Sequence, residues 1–183
     1  MVTIYHEKQR KQLCALHSIN NLLQGNYFNQ QDLDSICLRL SPERQILNPH
    51  RSLFGLGNYD VNVLITALQS KGFETIWFDQ RKDPDCLQFN HILGFILNVD
   101  NSKVDNSSLY NWINPVNFFT SRKHWIAFRK IDDQYYNLDS KLDNPEIVGQ
   151  EDDMIKLLKK MLAQGDCQLL VVQKKSDQLM SDL

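Results

Sequence analysis

The sequence of 183 residues has little of what marks the specialised classes of protein. It holds only 7 glycines and 5 prolines, which excludes a collagen-like or linker-rich chain. No apolar run is longer than a strand and the first residues do not resemble a signal peptide, so no transmembrane segment is expected. Lysine and arginine do not cluster, and the formal net charge is -2, which disfavours nucleic acid and anionic membranes as partners. These absences predict a soluble, cytoplasmic protein.

The composition that remains is that of a folded globular chain. Hydrophobic residues make up 42% and charged residues 23%, both close to the globular average. A chain of this length fits one domain comfortably. We therefore predict a monomer with one domain over residues 1–174 and a polar, disordered tail over residues 175–183.

The four cysteines lie far apart along the chain. None belongs to a C-x-x-C pair, which excludes a zinc ribbon and a thioredoxin-type motif. In a reducing compartment cysteines are free thiols, and most buried ones behave as small apolar residues. That interpretation is assigned to Cys37, Cys86 and Cys167, whereas Cys14 has neighbours that favour a chemical role.

Helical periodicity dominates the first part of the chain. A helix is predicted from near Cys14, with Gly25 at its C-cap position. Asn29 predicts the N-cap of a second helix, and Asp60 that of a third, which Gly72 ends. Residues 41–57 are predicted to form an irregular connection between the last two.

Beyond Gly72 the apolar period changes from 3.6 to 2, as in strands. Strands are predicted over the ranges 73–78, 92–99, 124–131, 134–138 and 167–173. A loop is predicted over 101–121, and an amphipathic helix over 152–164 that ends at Gly165. Helices first and a largely antiparallel sheet later predict the α+β class.

Cys14 lies at or near the N-terminal end of the first predicted helix. The free N–H groups and the positive end of the helix dipole stabilise a thiolate there. The alternative is a half-buried structural cysteine. A nucleophilic role also requires a base, so the histidines decide between the two.

Two of the five histidines are candidates for that base. His17 lies three residues after Cys14 on the same helix face, where it acts either as the base or as a packing histidine. His6, His50 and His91 have no distinctive partners and are interpreted as structural or solvated. A metal site formed by Cys14, His17 and His6 is a weaker alternative because a fourth ligand is missing.

His124 begins a predicted hairpin that also brings a carboxylate close. A two-residue turn at residues 132–133 places His124 opposite Lys141, with Asp139 diagonal to it on the same face. Asn137 lies one rung further away, so the register favours Asp139 as the group that orients the imidazole. A three-residue turn would reverse this choice.

A helix-start cysteine and a strand histidine with a carboxylate partner match the plan of cysteine proteases. Such an enzyme also needs a donor for the oxyanion. Gln9 and Gln12 both precede Cys14 closely, and spacing alone leaves the choice between them open.

Two blocks of sequence resemble the Josephin domain of deubiquitinating cysteine proteases. The first block is HEKQ at residues 6–9 with LCALHSINNLLQ at residues 13–24, and the second is HWIAFRK at residues 124–130 with YYNLDS at residues 135–140. Residues 47–53 and 58–63 look like the short members of the family rather than the ataxin-type members. The resemblance extends over essentially the whole chain to about Lys174.

This resemblance implies a papain-like fold with Cys14 as nucleophile and His124 as base. It implies that Gln9 binds the oxyanion and that the third catalytic position falls on Asp139. The implied activity is thiol-dependent hydrolysis of isopeptide bonds at the ubiquitin C-terminus, with ubiquitin and polyubiquitin chains as partners and no metal or cofactor. The alternative is a catalytically latent ubiquitin-binding module.

Overall fold

The fold is one antiparallel sheet with helices on both faces. The computed structural model describes residues 3–44, 47–52, 57–100, 123–165 and 167–175. The helices are α1 (Cys14–Leu23), α2 (Gln30–Leu40), α3 (Val61–Ser70) and α4 (Glu151–Ala163). The strands are β1 (Phe73–Trp77), β2 (Ile92–Asp100), β3 (Lys123–Ile131), β4 (Gln134–Asn137), β5 (Glu146–Gly149) and β6 (Gln168–Lys174), in the sheet order β1-β6-β2-β3-β4-β5.

Alternation along the central strands divides the apolar residues between two cores. Ile96, Ala127 and Leu170 pack with α1, α2 and α3 on one face of the sheet. Their neighbours Phe95, Phe128 and Leu169 pack with α4 on the other face. This is the α+β architecture that the sequence predicts, because period-2 strands present one apolar face to each helical layer. Among the described residues, no helix combines the length and the apolar composition needed to span a bilayer.

The helix boundaries follow the predicted capping residues closely. Asn29 and Asp32 form a reciprocal capping box at the start of α2, and Asp60 accepts two backbone N–H groups at the start of α3. The end of α1 differs by one residue from the prediction. Gln24, not Gly25, takes the left-handed conformation with φ 60.

The β3–β4 hairpin has the predicted two-residue turn. Ile131 pairs with Gln134, and Phe128 pairs with Asn137. Asp132 takes φ 52, the left-handed backbone that such a turn requires. The predicted turn and the register of the hairpin over residues 128–137 are therefore confirmed.

The structure differs in part from the other predictions for the second half of the chain. Strand β5 (Glu146–Gly149) was not predicted because four residues after a proline give too short a pattern. The Lys175 N–H donates to the Gly72 carbonyl at 3.0 Å, one residue inside the predicted tail. The predicted loop over 101–121 and the remainder of the tail, 176–183, lie outside the described residues.

Helix α1 lies unusually close to the sheet that positions the histidine. A Cβ atom at Gly94 in β2 would overlap the Phe128 carbonyl oxygen of β3 and the end of the Leu22 side chain of α1, so glycine fits this position, where strand and helix both pack closely. The Arg129 guanidinium of β3 donates to the Leu22 carbonyl at 2.6 Å and satisfies the C-terminal end of α1. The two elements that bear Cys14 and His124 are thus joined directly.

Candidate active site

Cys14 is the first residue of α1, as the sequence predicts. Its N-cap residue, Leu13, makes no side-chain capping bond to the first-turn N–H groups. These groups and the helix dipole favour an anion at this end of the helix. The Cys14 side chain is nearly enclosed, with 5% of the residue exposed.

The Cys14 thiol is hydrogen-bonded to the His124 side chain and to the Trp125 backbone. Burial opposes ionisation of the thiol. The bond to His124, its positive charge, the Trp125 bond and the charge of Lys141 outweigh burial, and together they lower the pKa of Cys14 below the ordinary value of 9.0. The site therefore favours the thiolate form of Cys14.

His124 lies between Cys14 and Asp139. Its Nε2 atom lies 2.6 Å from Asp139 Oδ1, which leaves Nδ1 as the nitrogen available to Cys14. Burial lowers the pKa of His124, but the hydrogen bonds and charges of Asp139 and Cys14 raise it above 6.5 overall. The pair can thus exist as thiolate and imidazolium.

The turn after β4 holds the Asp139 carboxylate in place. Asp139 Oδ1 also accepts the Lys141 backbone N–H at 2.9 Å, and the Asp139 N–H donates to Asn137 Oδ1 at 3.0 Å. The His6 Nε2 atom lies 3.0 Å from the Asp139 carbonyl oxygen. Asp139 contacts His124, as the register predicts, and Asn137 supports the Asp139 backbone.

The two candidate oxyanion donors lie in different surroundings. The Gln9 N–H donates to the Ser140 carbonyl at 2.6 Å, which places Gln9 beside the turn that bears Asp139. The Gln9 side-chain amide donates to the Lys11 carbonyl at 2.9 Å, and its Oε1 atom is buried with no hydrogen-bond partner in the described part of the chain. Gln12 instead forms a backbone bridge with Gly57. Within the described residues, no hydrogen bond joins either side chain to Cys14.

His17 is a structural histidine, and of its two predicted roles packing is the one observed. Its Nε2 atom accepts the Arg10 backbone N–H at 3.3 Å, so the proton resides on Nδ1, which donates to Glu7 at 2.6 Å. Both ring nitrogens are therefore engaged away from Cys14.

The carboxylate of Glu7 organises the chain before Cys14, and sequence reasoning did not find it. Besides His17, it accepts hydrogen bonds from the Tyr5 hydroxyl and from the Asn20 amide. The Glu7 backbone exchanges two hydrogen bonds with the Asn21 side chain, at 2.6 and 3.2 Å. Two consecutive asparagines within a buried helix were the signal that could have revealed this network.

The remaining histidines and cysteines have structural surroundings. His50 bonds to Asp60 at 2.8 Å and to the Ser41 hydroxyl at 3.2 Å, while His91 is exposed. Burial raises the pKa of both Cys37 and Cys167 to about 12. The described residues contain no group of three His, Cys, Asp or Glu side chains suited to a metal ion, so they give no support to the metal site considered above.

The site combines a cysteine at the start of a helix, a histidine on a strand that is bonded to the cysteine, and a carboxylate bonded to the second nitrogen of the histidine. This is the arrangement of papain-like cysteine proteases. The model of the Josephin family matches residues 9–173. This chain belongs to the Josephin family.

The relatives include short and long proteins. Josephin-2 from Homo sapiens is 46% identical over 170 residues, which cover 93% of this chain and 86% of the relative. A Josephin-like protein from Drosophila melanogaster is 45% identical over 175 residues, covering 95% of this chain and 76% of the relative. Ataxin-3 from Homo sapiens is 30% identical over 189 residues, covering 94% of this chain and 46% of ataxin-3.

Among solved structures, this chain is similar to UCH37 of Trichinella spiralis bound to ubiquitin vinyl methyl ester. The TM-score is 0.36 at 12% sequence identity, over 56% of this chain and 73% of UCH37.

Proposed function

We propose that this protein is a thiol-dependent deubiquitinase that hydrolyses isopeptide bonds at the ubiquitin C-terminus, acting on ubiquitin conjugates and polyubiquitin chains. The observation that carries the proposal is the position of His124, bonded to Cys14 on one side and to Asp139 on the other. Membership of the Josephin family supports ubiquitin as the substrate. The residues alone support only a cysteine hydrolase.

In the first step, the Cys14 thiolate attacks the carbonyl carbon of the C-terminal glycine of ubiquitin. The C–N bond breaks as the tetrahedral intermediate collapses, and the His124 imidazolium gives its proton to the departing lysine amine. Ubiquitin is left as a thioester on Cys14. Asp139 holds the imidazole and stabilises its protonated form throughout.

In the second step, water attacks the thioester while neutral His124 takes a proton from it. The C–S bond breaks, ubiquitin leaves as a carboxylic acid that gives its remaining proton to solvent, and the Cys14–His124 pair is restored. The Cys14 N–H and the Gln9 side-chain amide stabilise the oxyanion in both steps. One N–H of that amide donates to the Lys11 carbonyl, and the other is assigned to the substrate.

A second candidate is a latent ubiquitin-binding module with an intact but closed site. The specific observation in its favour is burial: Cys14 is 5% exposed, and His124 and Asp139 are each 2% exposed. A nucleophile must contact its substrate, so an active enzyme has to open this site when ubiquitin binds.

The test is incubation of the purified protein with ubiquitin that bears a C-terminal electrophile, read by intact mass. Wild type and Cys86→Ala should each gain one ubiquitin, and Cys14→Ala should gain none. Cys86 is the matched control because it is an exposed free thiol in the same chain. Hydrolysis of a lysine-linked ubiquitin dimer by wild type then measures the isopeptidase activity itself.

Other outcomes would reject parts of the proposal. An adduct on Cys14→Ala would show that another cysteine reacts and would remove Cys14 as the nucleophile. The absence of any adduct, together with ubiquitin binding in a titration, would support the latent module instead.

A further inference from the structure

Lys141 is a partly buried lysine beside the candidate site. Its side chain is partly buried, and within the described residues it makes no hydrogen bond or ion pair, in contrast to Lys8 with Asp143 and Lys159 with Asp85. A partly buried, unpaired ammonium costs free energy, and it calls for an explanation.

The backbone fixes Lys141 next to the two ionised groups of the site. The Lys141 N–H donates to Asp139 Oδ1 at 2.9 Å, the same oxygen that lies 2.6 Å from His124 Nε2. The β3–β4 ladder ends at the Phe128–Asn137 pair, and Lys141 lies in the turn that follows β4. Burial lowers the pKa of Lys141, and the charges of Asp139 and Cys14 act in the opposite direction. The charges that act on Cys14 are those of His124 and Lys141.

A count of charges shows what the ammonium does there. The reactive form of the site contains a thiolate at Cys14, an imidazolium at His124 and a carboxylate at Asp139, which leaves one negative charge in excess. An excess charge in a buried site is costly, and it opposes formation of the thiolate. Lys141 brings the sum to zero. With asparagine at position 139 the thiolate and imidazolium would balance by themselves.

We propose that Lys141 is an electrostatic positioning residue whose ammonium compensates the Asp139 carboxylate, so that the Cys14 thiolate and the His124 imidazolium can coexist with it. This inference deepens the proposed function but concerns the ionisation of Cys14 rather than ubiquitin. Asp139 and Lys141 then form one functional unit. Loss of the ammonium is harmful only while the carboxylate is present.

The experiment is a pH titration of the Cys14 thiolate by its ultraviolet absorbance, taken as the difference between each variant and the same variant with Cys14→Ala. The subtraction removes the other cysteines, and no reagent or ubiquitin has to enter the buried site. The variants are Lys141→Met, Lys141→Arg, Asp139→Asn with Lys141→Met, and Lys159→Met as the control. Lys159 lies on α4, on the opposite face of the sheet.

We expect Lys141→Met to raise the midpoint of Cys14 ionisation by about one pH unit, which reduces the thiolate population near neutral pH by up to about tenfold. Lys141→Arg should retain the wild-type midpoint because it keeps the charge. The double variant should return most of the way to wild type because its ionised site is again neutral. Lys159→Met should leave the midpoint unchanged.

Two results would overturn the inference. One is a Lys141→Met midpoint equal to that of Lys159→Met, and the other is a shift that Asp139→Asn does not reverse. Lys141→Gln serves as a second neutral variant should Lys141→Met fail to fold. Failure of the ubiquitin probe to label wild type would reject the proposed function without changing these midpoints, so the two failures are distinguishable.

Discussion

Asp139 is the residue at which the hydrogen bond and the charge of the site can be separated. Asparagine offers the same Oδ1 acceptor to His124 Nε2 and to the Lys141 N–H, but it has no charge. Cysteine proteases with asparagine as the third residue show that orientation alone can suffice. The carboxylate therefore acts mainly by holding the imidazole in the productive orientation.

On this basis Asp139→Asn should retain kcat/KM on a ubiquitin C-terminal amide substrate within about tenfold of wild type, whereas Asp139→Ala should lose roughly a hundredfold or more. Steady-state kinetics with a fluorogenic leaving group measures both. Equal losses in the two variants would show that the charge, rather than the orientation of His124, is what matters. Thermal unfolding of each variant serves as the control for folding.

Glu7 makes the stability of the protein depend on pH. Burial favours its neutral form, but the hydrogen bonds of His17, Tyr5 and Asn20 prevail and lower the pKa of Glu7 below 4.5. A carboxyl whose folded-state pKa is depressed stabilises the protein above its unfolded-state pKa. That contribution is lost as pH falls through the folded-state pKa.

We therefore expect wild type to have a larger free energy of unfolding than Glu7→Gln. This margin, the difference between the two free energies, should be largest above about pH 5 and should decrease below pH 4.5. Urea denaturation at a series of pH values measures this margin. The control is Glu43→Gln, because the Glu43 side chain is 70% exposed and pairs only at 4.0 Å with Arg44. A margin for Glu7→Gln that does not vary with pH would contradict the prediction.

At the scale of elements, the start of α2 depends on local chemistry alone. Asn29 accepts the Asp32 N–H at 3.1 Å, and the Asp32 carboxylate accepts the Asn29 N–H at 2.7 Å. Both residues are exposed, so the bonds act on the end of the helix rather than on the core. This element could be predicted from the sequence because its signal lies within four consecutive residues.

Replacement of the cap, Asn29→Ala, should lower the free energy of unfolding by about 1 kcal/mol and leave ubiquitin-probe labelling unchanged. Chemical denaturation measures the loss, with Gln31→Ala at an exposed position of the same helix as the matched control. Slower labelling without a loss of stability would show that α2 affects the site through a contact that this structure does not explain.

At the scale of the whole molecule, the distance between α1 and the sheet determines whether Cys14 and His124 meet. Gly94 permits that distance, because a Cβ atom there would overlap both the Phe128 carbonyl oxygen and the Leu22 side chain. The backbone contact cannot be relieved by a change of rotamer. Either β2 or β3 must move to relieve it, whereas the end of the Leu22 side chain can rotate away.

Gly94→Ala is therefore expected to lower the free energy of unfolding by roughly 1–3 kcal/mol and to slow labelling of Cys14 by the ubiquitin probe. Denaturation and labelling rates should both be measured. The double variant Gly94→Ala with Leu22→Ala should lose less stability than the sum of the losses in the two single variants, because one of the two overlaps is gone. Wild-type stability in Gly94→Ala would refute the close packing around Gly94.

Several parts of the site could be predicted from the sequence. The helix start at Cys14 follows from helical periodicity, and the contact between His124 and Asp139 follows from a two-residue turn and a period of 2. Each of these signals is contained in a short stretch of chain. Strand β5 was missed for the same reason, since four residues give no reliable period.

The sequence by itself determined the α+β class, the ends of α2 and α3 and the pairing of His124 with Asp139, because caps, periods and tight turns act between near neighbours. Only the tertiary structure decided that His17 binds Glu7 rather than Cys14, that Gln9 lies beside Ser140, and that the Lys141 backbone N–H binds the Asp139 carboxylate. These contacts join distant segments. They depend on how closely α1, the residues before it and the sheet approach one another, which no local pattern encodes.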